Sequence, residues 1–448
     1  MNHIDIINKL EENGFEAYIV GGAVRDMFSN IIPKDVDIAT NASPEEVVDI
    51  FAGEKVIMAG ISFRVVLVDG YEVASYRADE YFGFSDKNVK ITPTKTIEED
   101  LSRRDFTINS MAYNVKEGRL VDPYSGKTDL MNKIIRFNRV ARDRIKEDPC
   151  RIIRACRFLA KLKGTFDNDT FEALRDSSHL IATHVAPERI RKEVLITMKY
   201  KYAGIFFASL QDIGGLEYIF PSLANCVGLD GGPYHGEEVF IHAMCTGNRI
   251  SPQYPYIRLA GYLHDVGKFQ NAEYNDDGEI TFRGHEEAGY ELVKRDLAKL
   301  KFSKDEIKYI TILIKYHMRS VFIGSSGKAI RKLIREFKEN DIYYMDWIRL
   351  RVADRGGNKA KSPYTMQEVK DIINIIEREM YFNEIDTAFS IKDLAIDGDD
   401  IMRILNIKPS KKVGDILKYC LDRVVDYPEL NNVENLEDQV KLFNMKGI

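Results

Sequence analysis

Two carboxylates one residue apart, Asp35 and Asp37, begin thirteen residues after the Gly21-Gly22 pair. Side chains alternate across a strand, so the D-x-D pair is expected on one strand face. Carboxylates that close resist ionisation together unless a divalent cation neutralises them. Gly21-Gly22 falls between a strand-like and a helix-like stretch, where bare backbone N–H groups can hold phosphate oxygens. Val24-Arg25-Asp26 follows, and Arg103-Arg104-Asp105-Phe106-Thr107 adds a guanidinium fork for phosphate or ribose and one more acid, read as opening a helix. Together these residues suit a two-metal nucleotidyl transfer. One Mg²⁺ activates a hydroxyl, and a second holds a triphosphate and its departing pyrophosphate.

A second constellation comes later in the chain: His242, then His264-Asp265, then Asp354. Its H…HD…D order in a helical region resembles the HD phosphohydrolase superfamily, which implies a divalent or transition metal held by these four residues and water activated against a phosphate ester. His285 and His317 fall at positions of auxiliary ligands or phosphate contacts, and Lys268 at that of a phosphate contact. Four of the chain's eight histidines lie on this pattern in order, and His235, just before it, is left without a role.

These residues need elements to position them. Residues 3–13 have helical spacing, Ala17–Val20 is a short apolar strand, Ala23–Ser29 a helix and Val36–Ala39 a strand. Ser43-Pro44-Glu45-Glu46 predicts a capped helix start, with Ser43 as N-cap. Residues 55–58, 63–68 and 71–76 are β-branched and aromatic, and Asp69-Gly70 predicts a hairpin turn between the last two. From about residue 140 to 425 the pattern is helix after helix, and the tail past Tyr427 reads as polar and loosely held. The architecture read from this is an α/β head followed by an all-helical body.

The head blocks GGAVRD, KDVDIAT and RRDFTINSMAYN resemble those of the class II tRNA nucleotidyltransferases, the CCA-adding enzymes, with the related bacterial poly(A) polymerases. The resemblance continues through Asp122-Pro123…Gly126…Asp129-Leu130, Glu147-Asp148-Pro149-Cys150-Arg151 and Glu188-Arg189-Ile190-Arg191-Lys192-Glu193, covering at least residues 17–200. It implies an α+β polymerase-β-like head, a mixed sheet with helices, ahead of a long helical body with an HD domain. It also implies CCA addition to tRNA from CTP and ATP. Asp35, Asp37 and Asp105 then form the catalytic set, with Mg²⁺ on the first two. Gly21, Gly22, Arg25, Arg104 and Arg154 join the nucleotide site, and Asp148 and Arg151 read the base. A carboxylate accepts from the amino group that C and A share, a guanidinium donates to ring acceptors, and i, i+3 spacing puts both on one helix face. The Glu188-Arg189…Glu193 block is read as a brace for a neighbouring helix.

Residues 77–100, including Arg77, Asp79, Glu80, Tyr81, Asp86, Lys87 and Glu98-Glu99-Asp100, fill the segment that in full CCA enzymes switches the pocket from C to A. That favours complete CCA addition, although Ser85-Asp86-Lys87-Asn88 stands where an arginine-rich stretch is common. CC-adding, A-adding and poly(A)-adding relatives with the same head remain alternatives, as do an HD phosphohydrolase with a binding-only head and a non-catalytic RNA-binding protein. The expected division is 1–138 head, 139–225 neck, 226–365 HD domain and 366–448 C-terminal helices.

With 448 residues, 44% hydrophobic and 30% charged, the chain can bury several cores and is neither disordered nor fibrous. Its apolar runs, such as Val65–Val68, are too short for a membrane span, and its first residues lack a signal-peptide layout. Five cysteines without a CxxC pair fit a reducing, cytoplasmic setting. Lys and Arg number 64 against 70 Asp and Glu, a net charge of −6 that argues against indiscriminate nucleic-acid binding. The charge is uneven: Lys133–Lys163 holds eleven basic residues and three acids, a local +8. Arg136, Arg139, Arg157 and Lys161 in this stretch are the expected contacts to a tRNA backbone.

Overall fold

The computed structural model describes residues 1–60, 64–83, 89–386 and 390–446. Its contacts divide the chain into two units, Met1–Ala224 with Lys299–Lys301, and Asn225–Ala298 with Phe302–Ile448.

The first unit is built on a sheet of β1 (Ala17–Val20), β2 (Asp37–Thr40), β3 (Val56–Gly60), β4 (Val65–Val68) and β5 (Tyr71–Ser75), to which β8 (Ala112–Asn114) and β9 (Arg119–Val121) are added. The order across it is β3-β4-β5-β2-β1-β8-β9. Only β2 and β5 run parallel, in the register Ile38↔Val73, so the sheet is mixed. Every residue of β1 is buried, as its unbroken apolar sequence requires. The turn between β4 and β5 has Asp69 at φ 48° and Gly70 at φ 91°, the double positive φ of a type I′ hairpin. The Ser43 capping box forms: its hydroxyl accepts from the Glu46 amide, and the Glu46 carboxylate accepts from the Ser43 amide. Arg77–Tyr81 (β6) and Val89–Pro93 (β7) make a separate antiparallel hairpin. The Ser85-Asp86-Lys87-Asn88 stretch lies outside the described residues.

Four local expectations are corrected. Asp35 precedes β2 instead of standing on it, because the strand begins at Asp37. Arg103-Arg104 does not open a helix. Arg103 caps the C-terminus of the helix Ile97–Ser102, and only a 3₁₀ turn, Thr107–Asn109, follows. Asp148 and Arg151 do not share a helix: one ends at Glu147, Asp148 is extended, and the next runs Cys150–Leu162. Pro149 explains the break, since a residue before proline is pushed out of the helical region. Finally, the tail past Tyr427 is packed: Val433–Lys446 is a helix whose Leu436 and Val440 are fully buried.

In the second unit the helix Val239–Arg249 packs on both Pro255–Leu263 and Tyr344–Gly357, and Lys304–Tyr316 packs on Pro255–Leu263. The C-terminal helices Gly398–Leu405, Lys411–Asp426 and Val433–Lys446 close over their own core of Ile401, Ile416, Cys420 and Val424. No helix among the described residues is long and apolar enough to cross a membrane.

Candidate active site and a second candidate metal centre

The sheet register builds the head site. β1 ends at Val20 opposite Asp37, so the Gly21 turn emerges beside the carboxylates. Gly21 has φ 63°, and a Cβ there would meet Arg104 Nη1 at 2.7 Å. The positive φ favours glycine there. Arg104 is held by Asp100, which is almost fully buried and takes Arg104 Nη2 at 3.1 Å and Arg103 Nε at 2.9 Å. The Asp37 carboxyl titrates above its usual range: burial raises it and neighbouring Asp35 adds to that, against the pull of Arg104. Glu72, on the strand beside β2, is also raised, by burial and then by the charges of Asp37 and Asp35. A partly buried carboxylate crowded by others is a donor set that suits a divalent cation.

Other predicted head residues take different places. Arg25 is buried, bonded to Asn109 and Asp26, with its guanidinium 5.2 Å from the Phe158 ring centre. It is tied to protein partners rather than presented to a triphosphate. Asp105 is buried too: Asn109 and the Phe106 amide donate to Oδ1 at 2.8 Å, and Arg154 Nε reaches Oδ2 at 2.9 Å. Arg154 and these donors hold Asp105 far below the usual carboxylate range despite its burial. Both of its oxygens are thus engaged by protein donors. Gly22 starts the helix Gly22–Phe28.

The two residues expected to read the base, Asp148 and Arg151, take separate partners. Asp148 accepts both ends of one guanidinium, Arg189 Nη1 at 2.9 Å and Nη2 at 2.7 Å, and also accepts from the Cys150 amide at 3.1 Å. Arg189 thus braces the start of the helix Cys150–Leu162. Arg151 bonds the Arg144 carbonyl at 2.8 Å and the Glu147 carboxylate at 2.7 Å, and reaches the Tyr81 hydroxyl at 3.3 Å. Arg144 is fully buried, donates to the carbonyls of Arg103 and Arg104, and is pulled down to about 10 by that burial. Glu72 was missed in the sequence, and Asp100, Asn109 and Arg144 were read there only as parts of longer stretches, without these roles. A lone polar residue there carries no sign that it will face a partner distant in sequence.

The basic stretch is less available than its sum suggests. Arg157 is buried in an ion pair with Glu193 and a 2.9 Å bond to the Tyr200 hydroxyl. Lys161 binds Asp26 at 3.0 Å with most of its side chain covered. Both expected RNA contacts are therefore internal braces, since they lie on the inward face of an amphipathic helix. Arg136 and Arg139 stay about half exposed and line a groove of about 370 Å³.

In the second unit, seven of the predicted residues meet. His242 stands on the helix Val239–Arg249, His264-Asp265 at the end of Pro255–Leu263, and Asp354 on Tyr344–Gly357. His242 Nε2 is 3.1 Å from Asp354 Oδ1 and 3.7 Å from Asp265 Oδ2, and His264 Nε2 is 3.3 Å from that same Oδ2. His285 and His317 approach the other side of Asp265, and Lys268 Nζ sits 2.7 Å from Oδ2. Gly267 permits the turn to pass here, because a Cβ would lie 1.9 Å from the His285 carbonyl. Burial works against the Asp265 charge, yet His264 and Lys268 hold it well below the usual range. His264 Nε2 is buried and makes no hydrogen bond, as expected of a lone pair reserved for a metal. Glu237, also missed in the sequence, is 3.1 Å from His242 Nδ1 and fixes that ring. His235 contacts Lys268 at 3.2 Å, and burial with that ammonium brings it down to about 3. A cavity of about 670 Å³ opens onto this cluster, edged by Tyr234, Phe282, Arg283, Arg351 and Lys361.

Comparison with known proteins agrees with this arrangement. Residues 17–136 match the Poly A polymerase head domain family, 165–227 the family described as a probable RNA and SrmB-binding site of polymerase A, and 288–440 the tRNA nucleotidyltransferase domain 2 family. An A-adding tRNA nucleotidyltransferase of Deinococcus radiodurans is 29% identical over 90% of both chains. A CCA-adding enzyme of Staphylococcus haemolyticus is 29% identical over 97% of this chain and 95% of its own. One from Lactobacillus delbrueckii reaches 40% over 42% of this chain and 48% of its own. The Bacillus stearothermophilus CCA-adding enzyme, solved with CTP, shares the fold with a TM-score of 0.69 at 22% identity, covering 99% and 97% of the two chains. With a polymerase-β-like head, a helical body and relatives along almost its whole length, the chain is a tRNA nucleotidyltransferase.

Proposed function

We propose that the chain completes tRNA 3′ ends by adding C, C and A from CTP and ATP. The observation that carries this reading is the head cluster in which the Gly21 turn, Arg104 and the Asp35/Asp37 carboxylates converge. Asp35 and Asp37 are the residues that would hold Mg²⁺. When bound, Mg²⁺ supplies activation of the attacking 3′-hydroxyl and neutralises charge on the triphosphate. Arg104, fixed by Asp100, places a positive charge beside that centre and against the Gly21 turn. Asp148 accepts from the exocyclic amino group of the incoming base, and Arg151 donates to its ring acceptors. U and G do not present that pattern and so forgo these two hydrogen bonds. Arg136 and Arg139 lie where an acceptor-stem backbone could be neutralised.

The test is a tRNA without its 3′ end, incubated with Mg²⁺ and CTP, ATP or both, followed by product sequencing. Addition of CCA only when both are present supports the reading. An A added to a CC-ended tRNA and nothing added to the shorter one would assign the A-adding activity instead, a reading favoured by the name of the Deinococcus relative.

The second unit supports a further reading. His242, His264, Asp265 and Asp354 form a metal site for hydrolysis of a phosphate ester, with Lys268 next to it. Two imidazoles beside two carboxylates suit a transition metal better than Mg²⁺. The test is phosphate release from model phosphomonoesters and phosphodiesters with Mn²⁺, Co²⁺, Ni²⁺ or Zn²⁺.

A further inference from the structure

The cavity beside the histidine cluster does not end at that cluster. Two residues of its lining, Met318 and Ser320, also line a second cavity of about 320 Å³, whose other walls include Arg319, Val321, Lys332 and Leu333. The two cavities thus share a wall just past His317. Arg319 is two residues beyond that histidine, so their Cα atoms are at most about 7.6 Å apart. One nucleotide can bridge that separation.

The charge along this path is one-sided. Arg283 and Lys361 line the first cavity and Arg319 and Lys332 the second, and none of the four has an ion-pair partner among the described residues. Apart from the metal-site carboxylates, the acids in the two linings are Glu286 and Glu336. Cations that brace the fold nearby are placed differently. On the helix that carries Lys332, Gly327–Glu339, Lys328 pairs with Asp426, Arg331 with Glu379 and Arg335 with Asp422. Lys332 is instead exposed on the groove. Apolar surface lies between these charges. Tyr234 and Phe282 line the first cavity, Tyr234 with 71% of its surface exposed, and Met318 on the shared wall is 52% exposed. Cations that take phosphates, alternating with flat or apolar faces that take bases, are the means by which proteins hold single-stranded nucleic acid. A lone phosphate ester beside Asp265 would leave Arg319 and Lys332 without a counter-charge.

We infer that the second unit takes a single-stranded nucleic acid, with its terminal phosphate in the first cavity and the next nucleotide in the cavity of Arg319 and Lys332. This rests on the phosphohydrolase reading of the Asp265 cluster and names the substrate class of that site. Arg283 and Lys361 neutralise the terminal phosphate, and Tyr234 and Phe282 offer faces to the terminal base. Met318 separates the two positions, and Arg319 and Lys332 neutralise the second phosphate.

The experiment uses the full chain with bis(p-nitrophenyl) phosphate and Mn²⁺, Co²⁺, Ni²⁺ or Zn²⁺, so that nitrophenol release reads the second unit. Oligouridylates of one to four nucleotides, phosphorylated at the 5′ or the 3′ end, are added as competitive inhibitors. The inhibition constant is expected to fall about tenfold or more from one nucleotide to three. In Arg319→Glu/Lys332→Glu that gain should shrink to about threefold or less, with Lys332→Ala between the two. Both positions are exposed, and the ratio of constants is taken within each protein. No gain with length in the parent, or the full gain in the double variant, overturns the inference and leaves the phosphohydrolase reading standing. Equal inhibition by oligoglutamates of matched charge also overturns it, since such a groove reads charge alone. No nitrophenol release with any of the metals overturns both.

Discussion

Arg189 grips Asp148 with both ends of its guanidinium, Nη1 on Oδ1 at 2.9 Å and Nη2 on Oδ2 at 2.7 Å. The proposed base acceptor is therefore held in one orientation by a residue forty-one positions away. A bidentate pair fixes both angle and position, which one ammonium cannot do. Arg189→Ala is expected to lower CTP and ATP incorporation about tenfold or more and to raise the relative use of UTP and GTP. Arg189→Lys should restore the rate better than the selectivity. Single-nucleotide incorporation with each of the four triphosphates checks this, and unchanged ratios would remove Arg189 from base selection.

Tyr81 links the hairpin β6–β7 to Arg151, through its hydroxyl at 3.3 Å and its ring centre 5.5 Å from the guanidinium. Contacts of this kind contribute about 0.5–1 kcal/mol, so Tyr81→Ala should loosen nucleotide choice only a few-fold. Tyr81→Phe, which keeps the ring, should fall between it and the parent. Competition between CTP and UTP at the first added position measures the effect. Arg151→Ala should exceed both.

Asp37→Asn keeps the size of the side chain and removes the charge. Loss of at least about a hundredfold in incorporation of both nucleotides is expected, the scale of removing one preorganised electrostatic group. Asp35→Ala should act alike. Retained CTP addition in either variant would refute their assignment as metal ligands.

His264→Ala and Asp265→Ala should abolish metal-dependent phosphate release while leaving nucleotide addition to tRNA within about twofold, because addition is assigned to the head residues. A chelator selective for transition metals, in excess Mg²⁺, should do the same to the unmodified chain. Parallel loss of both activities would show that the two sites do not act separately.

Stability offers a fifth check. Ser43→Ala removes a capping-box hydroxyl and should cost about 1 kcal/mol. Gly267→Ala should cost more, since its Cβ would sit 1.9 Å from the His285 carbonyl and 2.5 Å from the Gly289 amide nitrogen. Thermal melting of the two variants tests the order, and an equal shift in both would mean that the helices yield easily at Gly267.

Local chemistry was legible in the sequence. Ser43-Pro44-Glu45-Glu46 determines its own cap, and Asp69-Gly70 its own turn, because donors, acceptors and permitted φ values all lie within a few residues. The Gly21-Gly22, D-x-D and H…HD…D patterns are visible in the sequence too, since residue types and their order are written along the chain. Interruptions were harder to read: Pro149 separates Asp148 from Arg151, although their spacing alone suggests a shared helix face.

Tertiary structure decided which charges are available. Arg136 and Arg157 look alike in the sequence, yet one is half exposed and the other is buried against Glu193. The sequence places Asp105 among the acids of the head, and only the fold shows Arg154 closing on it. Burial and partners at long sequence separation set the availability of a charge, and no local pattern encodes them. The same holds for Asp265: the sequence names it, and only packed helices turn its two oxygens toward two different sets of histidines.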